Sequence, residues 1–150
     1  QIDEGVQAIQ IFDSWVGCLS VSDYRNHVFA HSKKLLDSIS GKVPVIHFGT
    51  GNPSLLPLMK EAGGDVMALD WRAPLKESWE LLGCKAVQGN MDPIALFGSV
   101  DSVRQAARLI LEEVGGRPGH IFNLGHGILP ETPVENVKAL VEFVQGYQTS

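Results

Sequence analysis

The chain has few cysteines, no long apolar run and no excess of basic residues, and each shortage argues against a class of protein. Only two cysteines occur in 150 residues, Cys18 and Cys84, far apart and in no CxxC spacing. A disulfide framework or a thiolate zinc site is therefore not expected; two reduced, packed thiols are. No apolar stretch approaches the roughly 20 residues of a membrane-spanning helix, so no membrane partner is expected. Acidic residues outnumber basic ones, 17 to 12, for a net charge of −5. Phosphate neutralisation wants a basic face, so the composition argues against a nucleic-acid partner. A few local Arg or Lys can still reverse the field in one cleft, so an anionic small-molecule substrate stays compatible. Residues 1–5 carry two acids and no base, unlike a secretory signal. The chain does not open with Met, as in a processed protein or a fragment.

What is present reads as a globular domain, with 44% hydrophobic and 19% charged residues. Continuous apolar runs predict strands at 6–12, 43–48, 65–69, 85–88 and 120–124. Between and after them, helical spacing or helix-start signals predict helices at 23–40, 53–62, 74–82, 99–114 and 133–144. Ser22 or Asp23 is the expected N-cap of the first helix and Thr132 that of the last. Gly41, Gly63-Gly64 and Gly115-Gly116 are expected stops. Strands that are apolar throughout are covered on both faces, which predicts a parallel sheet in an α/β fold.

Polar residues and glycines cluster just after each strand: Asp13-Ser14, Thr50 to Asn52, Asp70 to Arg72, Asn90 to Asp92 and Asn123 to His126. A TIM barrel carries its chemistry on the C-terminal ends of several strands at once. A dinucleotide-binding fold instead concentrates its signal in one GxGxxG turn. Here Gly49-Thr50-Gly51 is followed by Asn52-Pro53-Ser54, and the third glycine is missing. The pattern favours the barrel. A closed barrel takes eight strands and roughly 250 residues, so residues 1–150 are read as the C-terminal portion of one (β/α)8 domain. The N-terminal portion is expected to lie outside this sequence, since an open parallel sheet would leave two edges exposed.

Ile11-Phe12-Asp13-Ser14-Trp15 and Phe122-Asn123-Leu124-Gly125-His126-Gly127 stand near the two ends. Ala68-Leu69-Asp70-Trp71 and Gln88-Gly89-Asn90-Met91-Asp92-Pro93 lie between them. Together, in this order, they resemble the uroporphyrinogen decarboxylase family, over nearly the whole chain. The resemblance implies a cytoplasmic, homodimeric (β/α)8 enzyme of porphyrin and haem biosynthesis. It would remove CO2 from the four acetate arms of uroporphyrinogen III to give coproporphyrinogen III. It implies no metal and no organic cofactor. Two substrate-contacting positions carry over: Ser14, from the FD-S/T-W motif, and His126, from NLGHG, which is also taken as catalytic. The family's arginine-rich segment, pyrrole-binding aspartate and active-site tyrosine precede this region, so the chain alone is expected to be incomplete for catalysis.

The chemistry suits these residues. A pyrrole acetate can lose CO2 once the adjacent ring carbon is protonated, because the cationic ring accepts the electrons left behind. Imidazoles can donate protons or hold carboxylates near neutral pH. A serine hydroxyl can donate to a carboxylate oxygen. Arginine clamps are expected from the absent part. Asp70 and Asp92 are read as loop-holding residues, Asp13 as an orienter or loop cap, and Trp15 and Trp71 as core or rim packing. Asn90 could orient substrate or hold its own loop. His27, His31 and His120 are read as surface or packing residues, and Lys33 and Lys34 as a solvated helix face.

Two other readings stand beside this one. Zinc-dependent cobamide or thiol methyltransferases resemble this family, but their His-x-Cys pair meets His47-Phe48-Gly49 here, without the thiolate. The other is an inactive half-barrel fragment.

Overall fold

Five strands run parallel and lie side by side in chain order: β1 (Ile9–Asp13), β2 (Val45–Gly49), β3 (Val66–Ala68), β4 (Ala86–Gln88) and β5 (His120–Ile121). They are seen in a computed structural model that describes residues 1–51 and 53–148. Asn52, counted above among the strand-end residues, lies outside the described residues. The helices are α1 (Val21–Asp23), α2 (Phe29–Ile39), α3 (Leu56–Ala62), α4 (Leu75–Leu82), α5 (Val100–Val114) and α6 (Val134–Gly146). From α2 onward each helix packs on the next, forming one outer layer. A doubly wound sheet reverses its strand order at a switch point. This sheet does not reverse, so the βα units follow each other as staves do in a barrel.

The two faces of the sheet differ because successive side chains point to opposite sides. Met67, Leu69 and Val87 face the helices, buried with Leu55, Met59, Leu75, Trp79 and Leu82. Val45 is buried with Leu36 and Ala62. Met91, Leu96, Val103, Ala107 and Leu140 form a second cluster toward the C-terminal helices. On the other face, strand register aligns Phe12, Phe48, Ala68, Gln88 and Ile121 in one row. That face is concave. Gln88 Nε2 donates to Gln10 Oε1 at 3.3 Å, from β4 to β1. In a flat sheet at ~4.8 Å per strand those two strands would stand roughly 14 Å apart. The sheet must therefore curl for two amides to meet.

Element ends depart from the sequence reading for local reasons. β2 starts at Val45 rather than 43 because Pro44 has no N–H to give the ladder. β1, whose register begins at Ile9 opposite Val45, loses its first residues for the same reason. Residues Ile2–Glu4, ahead of the predicted strand, form a 3-10 turn. β5 pairs over only two residues, and a single bridge, Met91 to Leu124, resumes the pairing beyond Gly89.

The predicted helix at 23–40 is interrupted by a π-helical turn, Tyr24–Val28. Tyr24 and Leu36 are both buried. Twelve regular helical steps would leave them about 120° apart around the axis, and the one extra residue of a π turn brings them into phase. The cap is Ser20, not Ser22 or Asp23: its Oγ accepts from the Asp23 N–H at 3.1 Å. Thr132 is not the cap of α6 either. It is buried, and Pro133 occupies the cap position without a side-chain bond.

Candidate functional site

The loops after β1, β2, β3 and β5 meet at one rim. They enclose a groove of ≈260 Å³ lined by Ser14, Trp15, Thr50, Trp71, Arg72 and His126. Ser14 and His126, 112 positions apart in the chain, thus face one space at the C-terminal ends of the parallel strands. A neighbouring hollow of ≈230 Å³ lies on the concave sheet face, between Gln10, Phe12, Phe48, Gln88 and Asn123. His126 lines both spaces. Its ring meets the Phe48 ring edge-on at 6.4 Å and the Trp71 ring at 6.2 Å. Two aromatic walls therefore orient an imidazole that is otherwise exposed.

The rim is tied together loop by loop. Thr50 Oγ1 donates to the Ser14 carbonyl at 2.7 Å, joining the first two loops. Asp70 Oδ2 accepts from the Gly51 N–H at 3.3 Å, joining the second and third. Asn90 Nδ2 donates to the carbonyls of Asp70, at 3.0 Å, and Ala73, at 2.6 Å. The Gly125 N–H donates to the Met91 carbonyl at 2.8 Å. Two glycines make these approaches possible. A Cβ on Gly17 would stand 2.2 Å from the Thr50 carbonyl oxygen, and one on Gly125 would stand 2.3 Å from the Trp71 nitrogen. The glycine before His126 is therefore demanded by the chain it lies against.

Other residues singled out above resolve into definite environments. Asp70 is buried; it accepts from the Arg72 N–H and pairs with the Arg72 guanidinium at 2.8 Å. Asp92 caps its own turn, accepting from the Ile94 N–H at 2.9 Å. Asn90 is buried and holds the β3 loop. Trp71 is half-buried under Arg72, whereas Trp15 is 86% exposed at the rim and packs on little. Cys84 is half-buried, but Cys18 is exposed, so only one thiol is packed. His27 and His31 are exposed. His120 is half-buried with Nε2 2.6 Å from the Gly89 carbonyl. Lys33 is exposed beside Asp37.

Behind the groove, on the helix side, lie polar groups that are wholly or partly buried. His47 is fully buried, with Nδ1 at 3.1 Å from the Met59 carbonyl and 3.0 Å from that of Gly63. Both contacts require Nδ1 to carry the proton. Burial lowers the His47 pKa below 6.5, although its two carbonyl contacts and the nearby Asp13 pull the other way. Burial likewise lowers that of His120. Burial raises the Asp13 carboxyl, with His47 opposing.

The sign of the pH effect follows. Unfolded histidine takes up a proton below about 6.5, and these folded rings resist it, so stability is present above that pH and lost as pH falls below it. Asp13 acts in the opposite sense nearer 3.8. We expect the unfolding midpoint to drop between pH 8 and pH 5, and the drop to shrink in the His47→Gln, His120→Gln double variant. Equal pH dependence in denaturant titrations of both proteins would remove these rings as the cause.

This geometry also separates His47 from the groove. It turns toward α3, while its neighbour Phe48 faces His126. Among the described residues, no three His, Cys, Asp or Glu side chains gather as metal ligands. The His47-based zinc reading therefore lacks both a partner thiolate and an accessible ring.

Strands in sequential parallel order, one outer layer of helices and polar residues converging on C-terminal strand ends define part of a (β/α)8-barrel fold. The family model described as Uroporphyrinogen decarboxylase (URO-D) matches residues 1–147. The chain belongs to the uroporphyrinogen decarboxylase family. It is 52% identical over 152 residues to the uroporphyrinogen decarboxylase of Koribacter versatilis, covering 99% of this chain and 43% of that protein. It is 52% identical over 146 residues to that of Thermus thermophilus, covering 97% and 43%. The chain thus spans less than half the length of these curated relatives. Among solved structures, a methyltransferase from Methanosarcina mazei aligns with a TM-score of 0.82 at 26% identity, over 96% of this chain and 43% of that one. A dihydropteroate synthase from Xanthomonas albilineans, with a TM-score of 0.67 and 15% identity, covers 96% of this chain and 57% of its own and shares the fold alone.

Proposed function

We propose that the complete protein is a carboxy-lyase that removes CO2 from the four acetate arms of uroporphyrinogen III, leaving coproporphyrinogen III. The observation that carries this reading is the shared groove of Ser14 and His126 at the strand ends of a chain that belongs to this family. Each step begins with protonation of the pyrrole carbon adjacent to an arm. The bond to the carboxyl carbon then breaks, its electrons neutralise the ring cation, and CO2 leaves. The exocyclic carbon takes up a proton and the ring gives one back, so the arm ends as a methyl group.

His126 stands at the junction of groove and concave face, where an imidazole can hand over a proton or hold the reacting carboxylate. Ser14 lines the same groove, its loop pinned through its own carbonyl by Thr50, and a serine hydroxyl there can donate to a carboxylate oxygen. Asp70 and Asn90 keep the intervening loops in place. We propose no metal or organic cofactor for this chemistry, a homodimer as the assembly and the cytoplasm as the location. No helix among the described residues is long and apolar enough to cross a membrane.

The chain is proposed as the C-terminal portion of the barrel and as inactive alone. Phe12 is 66% exposed and Ile121 43% exposed on the concave face. These are apolar positions that a closed barrel would fill with side chains of further strands.

The test is turnover of uroporphyrinogen by the full-length protein, followed as successive loss of four carboxyl groups by chromatography. Ser14→Ala is expected to raise KM several-fold, with a smaller loss of kcat, as for a residue that positions substrate. A loss exceeding that of His126→Ala would reverse their ranking, and no CO2 release by the unaltered protein would end the proposal.

A further inference from the structure

Arg72 was not singled out as a site residue from the sequence, and it stands in the groove. Three contacts hold it there. Its backbone N–H donates to Asp70 Oδ1 at 2.9 Å. Its Nη1 reaches both Asp70 oxygens, at 3.1 Å and 2.8 Å. Its guanidinium carbon lies 3.7 Å from the centre of the Trp71 ring. A buried carboxylate and an aromatic face thus fix an arginine whose side chain is 50% exposed.

The arrangement is economical with donors. One amino group serves both oxygens of Asp70, so the Nε–Nη2 edge makes no hydrogen bond among the described residues. That edge has two parallel N–H groups at the spacing of a carboxylate's oxygens. Ser14 and His126 line the same groove.

We propose that Arg72 is a carboxylate anchor of this site, its free edge forking one acidic arm of the substrate while another arm reacts near His126. The assignment rests on the polycarboxylate substrate proposed above and adds to it a cation contributed by this part of the barrel. Asp70 neutralises part of the Arg72 charge, so the anchor selects by geometry more than by field. A ring with several carboxylates would be held at one arm and turned about it to present another.

Steady-state kinetics of Arg72→Gln and Arg72→Lys in the full-length protein test this. The fork is charge-assisted and bidentate, so we expect KM to rise about tenfold in both variants, with kcat changing much less. The lysine variant keeps a cation beside Asp70 and should melt as the parent does, which separates a lost fork from a collapsed loop. Binding of uroporphyrin, an oxidised tetrapyrrole octacarboxylate, is measured in parallel by fluorescence. We expect Arg72→Gln to bind it about tenfold more weakly and to show a shallower salt dependence. Equal KM and equal uroporphyrin affinity in parent and both variants would overturn the anchor. A parent that binds uroporphyrin through Arg72 but releases no CO2 would overturn the decarboxylase reading and leave the anchor standing.

Discussion

Replacing His126 by Ala in the full-length protein should lower turnover of the first acetate arm by about 10²-fold or more, the usual contribution of a positioned acid–base group. The groove itself should survive, because the ring is exposed and makes only edge contacts with Phe48 and Trp71. The melting temperature should therefore stay near that of the parent while kcat falls. If the ring holds a carboxylate without moving a proton, the four steps should slow unequally and partly decarboxylated intermediates should accumulate. Chromatography of the products at partial conversion distinguishes the two. Unchanged rates for all four arms would take His126 out of the mechanism.

Gly125→Ala should be nearly as damaging to activity and worse for stability. Its new Cβ would lie 2.3 Å from the Trp71 nitrogen and 2.9 Å from the Trp71 Cα. Backbone atoms cannot swing aside as a side-chain tip can, so one of the two loops must move. We expect a cost of about 1–3 kcal/mol, as for overpacking elsewhere, read as a lower melting temperature. His126 is the next residue, and Trp71 is one of its two aromatic walls. Displacing either loop should therefore lower kcat/KM by more than tenfold, a drop that a surface glycine would not show. Parent-like melting and kinetics together would mean that the loops are not pressed together as described.

Much of this architecture was legible because the strands read as unbroken apolar runs and each ends in glycines or polar residues. That pattern placed the five strands and the rim. It also pointed to the loops of Ser14 and His126 as neighbours, which the groove shows them to be. Boundaries were less legible where a single atom decides them, as with the missing N–H of Pro44. The π turn at Tyr24–Val28 left no mark in residue type, since it is set by which side chains must be buried together.

Arg72 was passed over for a different reason. Asp70-Trp71-Arg72 was recognised as a strand-end cluster, but spacing alone does not show which atoms of the arginine the aspartate uses. Only the three-dimensional structure shows that the pair uses one amino group and that Arg72 lines the groove. Cys18 was expected to pack and does not; it sits on the same loop as the exposed Trp15, where Cys18 Sγ donates to the Trp15 carbonyl at 3.0 Å.

The amide contact between Gln10 and Gln88 has a mechanical meaning. It spans two intervening staves, so the arc holds its own bend before any opposite wall leans on it. An arch of that kind needs no centring frame. A matching shell carrying the other staves would meet edges already set at their final angle, and little bending would be asked of either piece at the seam. Two shells cut apart between βα units should then be able to find each other again.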